Sequence, residues 1–189
     1  MALSDIGLCA RALIKVGAAP ISGFDDGTAE SEIAGALYGQ TRDALLSAYA
    51  WSFATGQVQL SRLEADPLAD YAYAFQLPND FLRALSLGAS GRGRGLGYRV
   101  IGNVLHADVS EVILTYIYRP AEESFPPFFD QALMVRLAAE FTIPVTENTS
   151  RSEAMFSMAE REFARARQID AQQDTPNKIE DFTLVHVRD

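Results

Sequence analysis

The side chains best placed to hold an anion are Arg92, Arg94 and Arg99, in and just beyond a glycine-rich run from Gly88 to Gly97. A phosphate-cradling loop needs glycines that let backbone N–H groups converge, and usually a lysine for the terminal phosphates. This run has the glycines but neither a Gly-Lys-Ser/Thr end nor dinucleotide spacing, and no helix pattern follows it. Two readings stay open: a plain hairpin tip, or a positive face for an acidic partner or a DNA backbone. Metal ligation needs clustered His, Cys or carboxylate groups. His106 and His186 stand alone, and the single cysteine, Cys9, falls in an apolar helical stripe. Asp25-Asp26 with Glu30 and Glu32 either approach a cation or suit the positive end of a helix. Glu122-Glu123 precede a proline pair in a loop, and adjacent carboxylates do not by themselves make an acid/base pair. No catalytic, cofactor-binding or metal-binding residues are expected from these patterns.

The composition narrows the function classes further. The chain has 189 residues, 48% hydrophobic and 22% charged, which fits one packed domain rather than a disordered chain. Its formal net charge is −9, so wrapping nucleic acid is not expected as its main task, because duplex affinity rests on Lys and Arg neutralising phosphates. One cysteine allows no internal disulfide framework and no zinc knuckle. No apolar run reaches the length of a membrane span. The start, Met1 to Asp5, lacks the basic-then-apolar pattern of a secretory signal, so synthesis in the cytosol is the expectation.

The elements that must position these groups are legible in the hydrophobic spacing. Ile6, Cys9, Ala10, Leu13 and Ile14 form one helical stripe, with Ser4 as its cap and Gly17 and Pro20 as its stop. A second helix is predicted from about Thr28 to Tyr49, after which Trp51 and Phe53 anchor the chain against the helices. Residues 57–118 alternate as strands: Gln57–Leu60, Tyr71–Leu77, Phe81–Leu87, Tyr98–Ile101, Val104–Ala107 and Val112–Tyr118, with Gly102-Asn103 as a tight turn. A third helix is predicted from Phe128 to Phe141, carrying an Arg136/Glu140 pair one turn apart, with Pro144 ending or kinking it. A fourth opens on a Ser150-x-x-Glu153 capping box, buries Met155, Ala159, Phe163 and Ala166, and shows Glu160, Arg161, Glu162, Arg165 and Arg167 to solvent. Beyond it, Ile179, Phe182, Leu184, Val185 and Val187 make an apolar tail that can pair as a strand, on its own sheet or on another chain. The expectation is an α+β protein. Residues 1–56 and 119–173 form a bundle of about four main helices, 57–118 an inserted antiparallel β-sheet, and 174–189 an extended C-terminal tail.

Taken in order, these segments resemble the tail tubular protein A-type head-to-tail adaptors of short-tailed phages, which have relatives in gene transfer agents. The resemblance runs from Ala12 to Ser22, through the acidic loop, to a helix ending in Ala50-Trp51-Ser52-Phe53. It continues through Leu77-Pro78-Asn79-Asp80-Phe81, the glycine-rich hairpin, Tyr116-Ile117-Tyr118-Arg119, Phe128 to Ala139 and the arginine-rich last helix. It covers roughly residues 5–188, with packing and turn motifs whose order is more specific than any one of them. It implies a non-enzymatic virion protein, made in the bacterial cytoplasm and placed at the head–tail junction. It also implies a homo-oligomeric ring of about twelve copies, docked on the portal protein above and on a tail or stopper protein below. DNA would pass through without specific binding. Carried onto this chain, the portal-binding candidates are Phe182, Thr183, Leu184, Val185 and Arg188. An acidic wall suits a conduit that must not hold DNA. A carboxylate-dependent hydrolase and a generic soluble interaction module are the alternative readings.

Overall fold

The computed structural model describes residues 3–65, 67–89 and 95–173. Among these residues are four α-helices and six strands, in the expected α+β order. Helix α1 spans Asp5–Val16, opened by Ser4, whose hydroxyl accepts the Gly7 N–H, and closed by Gly17. Gly17 takes φ +80° and donates its N–H to the Ile14 carbonyl. That left-handed conformation costs energy in any residue that carries a side chain. Helix α2 spans Ala29–Ala48 behind a reciprocal Thr28/Ser31 capping box. Helix α3, Pro127–Thr146, continues past Pro144 and stops at Glu147, which adopts a left-handed φ of 51°. Helix α4 spans Thr149–Ala171 and is capped by Asn148, whose side chain accepts the Arg151 N–H at 2.9 Å. The Ser150/Glu153 box is therefore a correction: Asn148 takes the cap two residues earlier, and Ser150 lies inside the first turn.

Helix α3 is the axis of the bundle. Ten of its residues are buried, among them Phe129, Leu133, Leu137 and Phe141, as expected of a helix covered on most sides. Helices α1, α2 and α4 all pack on it. Trp51, fully buried, fills the junction at the end of α2. Its indole N–H donates to the Leu45 carbonyl at 3.1 Å. Its ring meets Phe129 and Phe163 edge to face, with centroids 5.2 and 5.7 Å apart, a favoured geometry for aromatic pairs. The anchoring role expected of Trp51 and Phe53 is what the fold shows, since Phe53 sits 5.0 Å from Phe129 in the same cluster.

The strands form two three-stranded antiparallel sheets rather than one. Strands β1 (Thr55–Gln59), β3 (Phe81–Gly88) and β6 (Ile113–Tyr118) order as β1-β6-β3. Strands β2 (Tyr73–Gln76), β4 (Tyr98–Ile101) and β5 (Val104–Ala107) order as β2-β5-β4. The β4–β5 hairpin turns at Gly102-Asn103, with Gly102 at φ +60° in the first central position. Two-residue hairpin turns of the favoured hand require a positive φ there. Both junctions between the sheets are hydrogen-bonded. Beyond β1, Leu63 N–H donates to Ala74 and Ser61 accepts from Gln76, while Leu96 N–H donates to Leu87. Leu60, Phe75, Leu77, Leu87, Leu105 and Leu114 fill the space between them.

The sheet that carries β6 also joins the two cores. Leu114 and Tyr116 point into the strand core and Ile117 into the helical one. Strand β3 does the same by means of two irregularities. Its register runs Phe81↔Tyr118, Arg83↔Ile117, Ala84↔Tyr116, Ser86↔Thr115 and Leu87↔Leu114, so Leu82 and Leu85 are the extra residues. A bulge residue is free to point where strict alternation forbids. Leu82 and Leu85 are the residues of β3 that pack on the helices, while Phe81, Ala84 and Leu87 pack on the strand core.

Candidate interaction surface

A connected polar cluster ties α2 to the chain that leaves β6. Arg42 on α2 pairs with Glu122 at 2.7 Å and with its neighbour Asp43 at 2.9 Å. Arg119 grips the same Asp43 through two nitrogens, one of them Nε at 3.0 Å, and Tyr38 donates its hydroxyl to Glu122 at 3.1 Å. Burial opposes ionisation of Asp43, but hydrogen bonds from Arg119 and Arg42 outweigh it and hold the carboxyl below its ordinary range. Glu122 behaves likewise: burial raises it, and the Arg42 hydrogen bond brings the balance down. Burial and the adjacent Glu122 push the Tyr38 hydroxyl upward. Through these ion pairs the cluster links α2 to the segment that follows β6. The pair Glu122-Glu123 gives the only signal of it in the sequence, since Arg42 and Glu122 lie 80 residues apart and leave no spacing to read.

Other candidates resolve into packing. Cys9 is buried, and burial reinforced by Asp5 pushes its thiol up to about 12, far from a nucleophilic thiolate. Asp26 closes its own loop. It accepts the Ser22 and Gly23 N–H groups at 2.7 and 3.1 Å, and the Ser22 bond leads the effects that draw its carboxyl downward. His106 lies on β5 with its ring edge-on to Tyr71 at 6.3 Å. Among the described residues no group of three His, Cys, Asp or Glu side chains is placed to hold a metal ion. Nor is any helix among them long and apolar enough to cross a membrane.

Of the anion-facing arginines, Arg99 lies on β4, exposed, with Nη1 3.5 Å from the Asp70 carboxylate. Arg92 and Arg94 lie outside the described residues, as do the tail candidates Phe182, Thr183, Leu184, Val185 and Arg188, and His186. The Arg136/Glu140 pair is present at 3.0 Å, and Arg136 also reaches Glu160 on α4 at 3.3 Å.

What the sequence did not disclose is which positions of α4 are fully buried against the rest of the chain. Its buried residues are Ser152, Ala159, Ala166 and Asp170. The first three recur at heptad spacing and make a narrow seam of small side chains. Met155 and Phe163 pack beside that seam. Asp170 closes it: its carboxylate, 2% exposed, accepts the Ser52 N–H at 3.0 Å and the Ser52 hydroxyl at 2.7 Å. Arg167 is exposed, as expected, and also lies over the Phe163 ring at 4.9 Å, a cation–π contact. The opposite side of the helix is exposed, and Met158 and Ile169 stay 38% and 37% exposed on it. A shallow hollow lined by Tyr49, Arg161, Arg165 and Arg167 lies along the helix, and two further grooves flank it. One of about 370 Å³ runs between α2 and α4, lined by Leu37, Ala44, Ala159 and Phe163 among others, with Arg136, Glu140 and Glu160 at its edge. The other, about 430 Å³, lies against Pro127 and Phe128 and is bordered by Arg165 and Ile169.

No protein-family model matches the chain, and no curated protein matches it.

Proposed function

We propose that the protein is a structural head-to-tail adaptor of a phage or phage-like particle, assembling as a ring of about twelve copies between the portal and the tail. The reading starts from the order of segments in the sequence. The observation that carries it is the use of α4. This 23-residue helix packs on α3 through an inward stripe that includes Met155, Phe156, Ala159, Phe163 and Ala166, and its outward side stays exposed and available to other chains. An exposed helix side suits an assembly component, and a net charge of −9 suits a wall past which DNA slides. Phe182, Thr183, Leu184, Val185 and Arg188 then supply the contact with the portal.

Capture of a cognate portal protein is the test. The full chain is expected to bind portal rings and to appear beneath them as a ring by negative-stain microscopy. Deletion of residues 176–189 is expected to abolish capture. Undiminished capture by the shortened chain overturns the tail assignment, and no capture by the full chain overturns the adaptor role.

A further inference from the structure

The outward side of α4 is unusual for an acidic protein. At about 100° per residue, Arg151, Ala154, Met158, Arg161, Arg165 and Ile169 share one broad face. All six are exposed, and no carboxylate falls among them. Glu162 marks one border of this face, and Gln168, Ser157 and Ala164 separate its other border from Glu153 and Glu160. The face is thus basic and apolar, in a chain whose net charge is −9. Across the helix, about 160° away by the same projection, lies the groove between α2 and α4. Its floor is apolar, with Leu37, Ala44, Ala159 and Phe163, and its edge holds two carboxylates, Glu140 and Glu160, against the single guanidinium of Arg136. Glu160 keeps 68% of its side chain exposed, free to meet a second cation.

We infer that the Met158/Arg161/Arg165 face of α4 in one copy seats in the α2–α4 groove of the next copy. The inference rests on the ring reading above and names the surface that would build the ring. Complementarity of charge and shape argues for a second copy as the occupant. The groove offers small side chains and a negative edge; the face offers a long, adaptable thioether between guanidinium groups. Both surfaces belong to the same chain and are different from each other. Such a pairing is heterologous, and copies joined this way close into a ring or run on as a filament, whereas a twofold contact stops at a dimer.

The buried, unreactive Cys9 makes a clean cross-linking experiment possible in the full chain. Met158→Cys and Ala44→Cys are made separately, each at an exposed position, and treated with a short thiol-to-thiol linker alone and mixed. Cross-linked dimer is expected in the mixture and not in either variant alone. Arg165→Glu in the Met158→Cys chain should lower the yield, with the dissociation constant weakened about tenfold. Glu160→Arg in the Ala44→Cys chain should then restore it. Self-linking of Met158→Cys alone means a twofold contact and overturns the inference. Multimers by light scattering with no mixed product place the contact elsewhere and overturn it while the ring reading stands. Monomers with no product overturn it as a self-assembly surface, and portal capture then decides the adaptor role separately.

Discussion

Helices α3 and α4 are neighbours of similar length, 20 and 23 residues, separated by a short turn, and they spend their surfaces in opposite ways. Helix α3 buries Phe129, Leu133, Leu137, Phe141 and small residues between them, and touches every other helix of the bundle. Helix α4 buries a seam of Ser152, Ala159 and Ala166 and leaves its arginines, Met158 and Ile169 outside. Burial is greater on the first helix, while the second packs on it through one side and leaves the other exposed. A helix with an exposed side is where an assembling protein can place contacts with other chains.

The largest break in that contrast should come from α3. Phe129 is a fully buried ring that meets Trp51, Phe53 and Phe125. Phe129→Ala should cost about 3–5 kcal/mol by denaturant unfolding. A loss below about 1 kcal/mol would mean that the aromatic junction does not hold the bundle together.

A smaller effect tests the carboxyl that α3 carries at its start. Asp130 has a buried Oδ1 with no hydrogen-bond partner among the described residues, and burial pushes its carboxyl up to about 6 against the pull of Arg11. A carboxyl raised in the folded state binds its proton more tightly there than in the unfolded chain. Its contribution is therefore fully present below about pH 4 and is lost as pH rises through about 6. Asp130→Asn should flatten stability over that window and gain on the order of 1 kcal/mol at neutral pH, after allowing for solvent screening. Unchanged pH dependence of unfolding between the two proteins would remove Asp130 as its source.

The smallest expected effect is the most informative about α4. Met158→Ser on the outward face should change unfolding free energy by no more than about 0.5 kcal/mol, whereas the same change at a core position would cost several times that. A large loss would show that α4 is held by more than its seam, and would erase the contrast between the two helices.

Much of the fold was legible in local spacing. The four helices, the strand-rich middle, the Gly102-Asn103 turn and the burial of Trp51 follow from periodicity and turn chemistry, which backbone geometry ties to neighbouring residues. The site was less legible. Glu122 looked like a loop acid, and only folding brings it to Arg42 and Tyr38. Arg167 is solvated as its sequence suggested, but its contacts with the Phe163 and Tyr49 rings came only with folding.

The sequence by itself determined the class of each element, the acidic charge and the absence of a disulfide framework, because these depend on composition or on residues a turn apart. Tertiary structure alone decided where the elements point. Strict alternation would put Phe81, Arg83, Leu85 and Leu87 on one face of β3. The two bulges opposite β6 instead send Leu82 and Leu85 to the helices and Phe81, Ala84 and Leu87 to the strand core. The same holds for α4, whose arginines and methionine gain meaning only from the narrowness of its buried seam. Bulges, ion pairs and seams are set by contacts between residues far apart in the chain, and such contacts leave no period in the sequence.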